Sequence, residues 1–380
     1  MRVLPFSFLE QVQAGGGGLF PDQSLATWTT TEADEWLAYG LANLNTTTFG
    51  YDTTATRIGS SYGTGVAKWA GGCLASNGKI YSAPHVRTKW AILDTTTDTI
   101  TESVATVNGS STGGVYDKIT NQVFSFGSGG TKIDVATDVA SNISGPPNRT
   151  ASVIQSFIGN ELYGVGFHTY TGIRKYTIST NTTSTITPTG DTVINQGEFG
   201  TLGRDGCIYY GNIPSPSTSF MRYNPATNVN TNITTPGGIF SSLIQHYDGY
   251  IYALPTSAST LVRKFDPSTG TFVGSYDWGT SFQSSNACIG LDGRIYVVSS
   301  VTATKVIRWF DPIAVSHGDI TIADLDGSYQ GITIGANGDL YLIPWTGPYF
   351  HKLALVTGTG TTATDIVSQY NFGGRLCWPG

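Results

Sequence analysis

The chain has five histidines, and two of them sit in company that suits chemistry. His85 lies in "PHVRTK" (84–89) with Arg87, and His168 lies in "GFHTYTG" (166–172) with Tyr170. A third stretch, "PWTGPYF" (344–350), supplies Trp345 and Tyr349, and "NIPSPSTS" (212–219) is a fourth segment of similar loop character. Imidazoles bind metals or move protons, guanidinium groups hold anions, and aromatic faces stack on sugar rings. A metal centre needs several such ligands to converge. His85 and His168 would have to share one with acids, and the acids do not cooperate. Asp94, Asp134, Asp266 and Asp311 recur at one place in successive segments, as turn caps do. Glu102, Glu161 and Glu198 stand singly, and no acid pair stands out for glycoside hydrolysis. There is no G-x-S-x-G. "GGGG" (15–18) lacks the Lys-Ser or Lys-Thr of a phosphate loop, and "FGSGGTK" (126–132) joins two strands. The expectation is therefore binding, with no catalytic residue, metal or cofactor. Its candidates are His85, Arg87, His168, Tyr170, Trp345 and Tyr349.

These loops can converge only if the elements that carry them repeat around a common axis. The sequence does repeat. "NGKIYSAP" (77–84) returns as "RDGCIYYG" (204–211), "DGYIYALP" (248–255), "LDGRIYVV" (291–298) and "NGDLYLIP" (337–344). The aromatic of this phrase recurs at Tyr81, Phe124, Tyr163, Tyr209, Tyr252, Tyr296 and Tyr341, about every 43 residues. A second marker, an apolar residue before Asp or Asn, keeps the same period in "ILDTTTDTI", "RYNPATNVN", "KFDPSTGTF" and "WFDPIAVSH". Each unit reads as a small-residue strand, an N-G or D-G hairpin, and a strand of alternating aromatic and aliphatic residues. A variable loop, a third strand, a capped turn and a polar fourth strand follow. Four antiparallel strands per unit is the grammar of a β-propeller blade, so the fold class is all-β. Eight blades are expected, with seven as the alternative. The first unit, 24–66, matches least, and Tyr39 is its hairpin aromatic. No helix beyond a turn or two is expected. In this frame the second-to-third-strand loops share one face, which gathers the candidate residues there.

The units resemble the "GxIYxxP…DPxTxT" repeats of the Kelch, galactose-oxidase central-domain and virginiamycin B lyase-like propellers over 24–365. The Gly pair that follows the second strand in Kelch repeats is absent. Here Gly71-Gly72 and Gly113-Gly114 open the first strand instead. Similarity to the lyase group implies His and Glu around a divalent metal near the axis. Two exposed loop histidines are the plainer reading of His85 and His168.

The start, "MRVLPFSFLEQVQAGGGG", reads as an anchoring arm (1–22) with a glycine joint, and a signal peptide is the alternative. The propeller follows over 23–370. The tail, 371–380, is a candidate latch. The arm and the Thr/Asn/Gly-rich surface resemble bacteriophage virion components. That resemblance implies a virion location, a virion or surface protein held by the arm, and a host-surface glycan or protein met by the loop face. The alternatives are a secreted propeller that binds carbohydrate or peptide, and a propeller lyase or glycosidase.

Charged residues make up 12% of the 380, and the net charge is −6 without a Lys/Arg run. Clustered positive charge, the requirement for nucleic acid, is missing. No apolar run approaches a membrane span. Cys73, Cys207, Cys288 and Cys377 form no C-x-x-C and read as free structural thiols.

Overall fold

The computed structural model of the chain describes residues 29–44, 46, 49–63, 67–108, 111–127, 130–143, 150–155, 159–166, 172–191, 200–211, 219–234, 240–255, 259–299, 306–322 and 327–357. Within these the fold is all-β, apart from one helix and turns. The strands form antiparallel meanders, here called sheets I (73–102), II (111–142), III (150–186), IV (200–234), V (240–277), VI (284–322) and VII (329–353). Sheet V is typical. Its strands Phe240–Gln245, Ile251–Pro255, Leu261–Asp266 and Thr271–Asp277 pair in chain order. Burial falls outward across it. The first two strands are fully buried, and the last alternates between half-buried and exposed.

The innermost strands touch in sequence from sheet I to sheet VII, and that of sheet VII, Tyr329–Ile334, returns to that of sheet I, Cys73–Leu74. Every neighbouring pair of sheets shares an apolar cluster. Tyr81, Trp90 and Tyr116 pack between I and II, Phe124 and Tyr176 between II and III, and Tyr209, Phe220 and Phe265 between IV and V. A single sheet cannot bury both its faces, so stacking supplies the core. This arrangement is propeller-like.

Local chemistry explains the turns. The hairpin glycines Gly78, Gly206, Gly249, Gly293 and Gly338 hold φ between 76° and 90°, where a side chain is strained. The recurring acids cap turns as expected. Asp94 Oδ1 accepts the amides of Thr96 and Thr97 at 2.9 and 3.3 Å, and Asp311 Oδ1 accepts those of Ile313 and Ala314 at 2.9 Å each. Cys73, Cys207 and Cys288 are buried free thiols, and Cys377 lies outside the described residues.

The expected first unit differs. Residues 24–66 hold no four-stranded sheet within their described part. Helix α1, Thr30–Asn43, occupies the middle, and Tyr39 is a helical residue. Its Ala33 and Leu37, with the following Leu44, are buried in one cluster with Leu202, Tyr247 and Leu291. Asp34 pairs with Arg204 at 3.5 Å. The helix therefore lies on the hairpin-turn end of sheets IV, V and VI. Tertiary packing of this apolar stripe outweighs the repeat register.

After the helix come strands β1, Phe49–Tyr51, and β2, Thr54–Ile58. β2 is the outer strand of sheet VII, pairing antiparallel with Phe350–Leu353 through Thr56↔Lys352, Arg57↔His351 and Ile58↔Phe350. It also runs parallel to the outer strand of sheet VI through Thr54↔Thr321 and Ala55↔Ile322. VI and VII thereby become one eight-stranded sheet. The two ends of the described chain are joined here. The expected latch at 371–380 and the arm at 1–22 lie outside the described residues.

Candidate functional site

The end of the molecule opposite α1 carries the loops between second and third strands. Sheet I contributes 83–90 and sheet VII contributes 345–349, and residues 59–63, leaving β2, and 67–70 lie between them. Backbone bonds stitch the three together. Tyr62 N donates to Pro348 O at 2.8 Å, Lys68 N to Trp345 O at 2.8 Å, and His85 N to Lys68 O at 2.8 Å. A bridge pairs Trp69 with Pro84.

Four of the six candidate residues meet at this seam. The rings of His85 and Trp345 lie 4.3 Å apart at 54°. The Arg87 guanidinium sits 5.1 Å from the Trp69 ring and 5.8 Å from the Tyr62 ring. Its Nη1 pairs with Glu102 Oε1 at 3.2 Å, and its Nη2 donates to Tyr62 O at 2.9 Å. Tyr349 is stacked by Arg57 of β2 at 4.4 Å. His85, Arg87, Trp345 and Tyr349 are all half-buried, so each keeps a face toward water. His168 and Tyr170 lie outside the described residues.

Sequence reasoning missed Arg57, Tyr62, Lys68 and Trp69, and set Glu102 aside as a single acid. They come from the ring-closing segment and an outer strand, which the repeat does not mark as loop-face positions. Lys68 is the unusual one. It is 2% exposed, and its Nζ donates to Thr346 O at 3.0 Å and Gly347 O at 2.9 Å. Burial, and then the charge of Arg87, push its pKa down. Burial and then Glu102 raise that of Tyr62, against the opposing pull of Arg87. Chemically the seam presents aromatic faces between cations.

Two of the other three histidines, His246 and His351, have structural partners. His246 is buried, with Nε2 3.0 Å from Gly293 O and Nδ1 3.0 Å from Asp248 Oδ1. His351 Nδ1 lies 2.6 Å from the Tyr329 hydroxyl. Among the described residues no three His, Cys, Asp or Glu side chains group as metal ligands do.

The hairpin tyrosines, expected as core, carry a polar tip that the sequence reading left out. Each hydroxyl reaches an acid, Tyr209 to Asp205 at 2.8 Å, Tyr252 to Asp248 at 2.7 Å and Tyr296 to Asp292 at 2.6 Å. A cation completes several of these groups, as Arg222 does at Asp205 (2.8 Å) and Lys175 at Glu161 (2.6 Å). They sit at the hairpin-turn end and tie the sheets together. An open cleft of about 820 Å³ between the outer strand of sheet IV and the last turn of sheet V lies away from the seam. Four of its nine lining residues are threonines, and its one ionisable group, Arg222, is already held by Asp205 and Tyr209. The seam, with several half-exposed ring and cationic groups, is the better candidate.

No protein-family model matches the sequence, and no curated protein matches it. Solved structures do match by shape. A streptogramin B lyase superposes with a TM-score of 0.64 at 15% identity, over 82% of this chain and 99% of that one. The extracellular domain of a hybrid two-component system from B. thetaiotaomicron gives 0.59 at 14%, over 76% of this chain and 40% of that one. A chain of a mitotic checkpoint complex gives 0.63 at 10%, over 80% and 93%. An enzyme, a sensor and a checkpoint protein sharing one shape carry no common activity. What this chain shares with them is the β-propeller-like fold.

Proposed function

We propose that the chain is an extracellular, saccharide-binding β-propeller of seven blades that acts by recognition, not catalysis, and that the seam between sheets VII and I is its binding face. The observation that carries this reading is the ring contact of His85 with Trp345 where sheets VII and I adjoin, with Arg87 and Tyr349 on the same two loops. Half-buried aromatic faces on a rigid frame suit the apolar face of a pyranose, and flanking donors suit its hydroxyls. The circuit of innermost strands supports the seven-bladed count, with β2 completing the last blade. An extracellular setting agrees with the Thr/Ser/Asn-rich, charge-poor composition, and among the described residues no helix is long and apolar enough to cross a membrane. A virion location rests on the arm at 1–22, and the seam argument does not need it.

A glycan array followed by calorimetry on the best binder tests the reading. Trp345→Ala is expected to weaken binding at least about tenfold, the scale of one lost stacking contact, with little change in melting temperature. Absence of saccharide binding by the full chain, or affinity indifferent to Trp345→Ala, contradicts it.

A further inference from the structure

We infer that two copies of this chain pair edge to edge through the outer strand of sheet I, Thr99–Glu102, in an antiparallel, two-fold contact. This does not depend on any ligand at the seam. It starts from how the other outer strands are guarded. An exposed edge offers unpaired amides and carbonyls to a second strand, and proteins cover, bulge or shorten such edges. Here β2 closes the edges of sheets VI and VII at once, and Thr189–Gly190 runs parallel to the outer strand of sheet IV. The outer strand of sheet V is bulged at Val273, between the pairs Lys264↔Gly274 and Phe265↔Phe272. The end of sheet II is met by the connection from sheet I, where Asn108 N donates to Asn142 Oδ1 at 2.9 Å. Thr183, in the outer strand of sheet III, is already engaged.

Thr99–Glu102 has none of these guards. It ends sheet I, in unbroken register with Ala91–Asp94, and holds no Lys and no Pro. Ser103 continues the pairing, its N donating to Trp90 O at 3.0 Å. Alternate residues of an antiparallel strand bond to the same side. Thr99 and Thr101 therefore bond inward, and Ile100, Glu102 and Val104 turn their amides and carbonyls outward. Among the described residues nothing pairs with these outward groups. Val104, at the end of this edge, is 77% exposed.

The strand is its own complement. A two-fold axis through Thr101 sets Thr101 against the partner's Thr101, Thr99 against the partner's Ser103, and Ile100 against the partner's Glu102. Threonine and serine pairs are favourable across strands, and no like charges stand opposite each other. Glu102 keeps its pair with Arg87 at 3.2 Å. Each Ile100–Glu102 pair exchanges two backbone bonds, about four in the contact. The buried strip is on the order of a few hundred Å², against roughly 1,200–2,000 Å² for a stable complex. The dimer is therefore weak and forms at high protein concentration.

Sedimentation of the full chain between about 10 μM and about 1 mM tests this, with a dimer fraction expected to rise across the range. Thr101→Lys, at an exposed position where the two-fold opposes the new charges, is expected to keep the chain monomeric with its melting temperature unchanged. The thiols of Cys73, Cys207 and Cys288 are buried, so cross-linking is followed in a Cys377→Ser background. There Thr101→Cys is expected to form a disulfide-linked dimer at least about tenfold faster than Thr321→Cys. Opposed residues of this kind lie about 4.5 Å apart at Cα, within disulfide reach. Thr321 is also exposed, but β2 covers its edge. A chain monomeric at about 1 mM, a dimer indifferent to Thr101→Lys, or equal cross-linking at the two positions overturns the inference. So does slow hydrogen exchange at Ile100 and Glu102 in the dilute monomer, which would mean that another segment of the same chain covers the edge.

Discussion

Equivalent hairpin-turn aspartates in neighbouring sheets titrate in opposite directions, and their neighbours explain it. Asp248 accepts the Tyr252 hydroxyl and lies beside His246 and Lys264. Burial raises its pKa, but these partners outweigh burial and lower it to about 2. Asp292 also accepts a tyrosine, but Arg294 stands off at 3.5 Å, and Asp311 adds a like charge. Burial therefore dominates and raises it to about 6. The signs follow from linkage. Asp248 adds stability above its unfolded value, lost as pH falls toward 2. Asp292 adds stability below its unfolded value, lost as pH rises through about 6. Asp292→Asn is thus expected to raise stability at pH 8 by on the order of 1–3 kcal/mol, with less gain at pH 4. Asp248→Asn is expected to lower it at pH 8. Denaturant melts of both variants at the two pH values check this, and a pH-independent effect of Asp292→Asn contradicts it. None of this polar layer was legible in the sequence. The period identified the tyrosines as buried, but a period records burial and is silent on what a hydroxyl meets.

Elements differ in legibility because their signals differ in range. The capped turns were readable, since Asp or Asn, then Pro, then a left-handed residue is a local code. One turn breaks that code and still folds. Where sheet V has Gly270 and sheet IV has Asn228, sheet VI has Val315 at φ 51°. A β-branched residue there costs roughly 1 kcal/mol, so Val315→Asn is expected to stabilise by about that amount in chemical denaturation. Unchanged or lower stability would show that the exposed Val315 side chain makes a compensating contact. The helix had a signal that the repeat register masked. Thr29-x-x-Glu32 is a capping-box pattern, and Ala33, Leu37 and Leu44 fall on one helical stripe. β2 had no usable signal, because its partners lie almost 300 residues away and five residues of "TATRI" fit any edge. Deleting 1–44 removes α1 and is expected to cost a few kcal/mol, from the lost burial of Ala33, Leu37 and Leu44. Deleting 1–58 also removes β2, uncovers Ile320 and Ile322, and is expected to abolish a single cooperative melt. Calorimetry separates the two, and identical scans would contradict the role given to β2.

At the scale of the molecule, rigidity comes from closure. Each sheet leans on the next, and the circuit is completed by a strand from the opposite end of the chain. The candidate site sits at that junction, which is why a reading built on the repeat placed His85, Arg87, Trp345 and Tyr349 on one face but overlooked Arg57, Lys68 and Trp69. The repeat describes what the sheets have in common, and the seam is where they differ. A ring zipped by β2 makes one demand that needs no ligand and no variant. In hydrogen exchange of the full chain, the amides of Thr54–Ile58 must be protected as strongly as those of Leu340–Ile343 in the middle of sheet VII. Matched slow exchange in the two segments is the expected result. Fast exchange at 54–58, beside a protected 340–343, would show an open ring and remove the seam on which the candidate site depends.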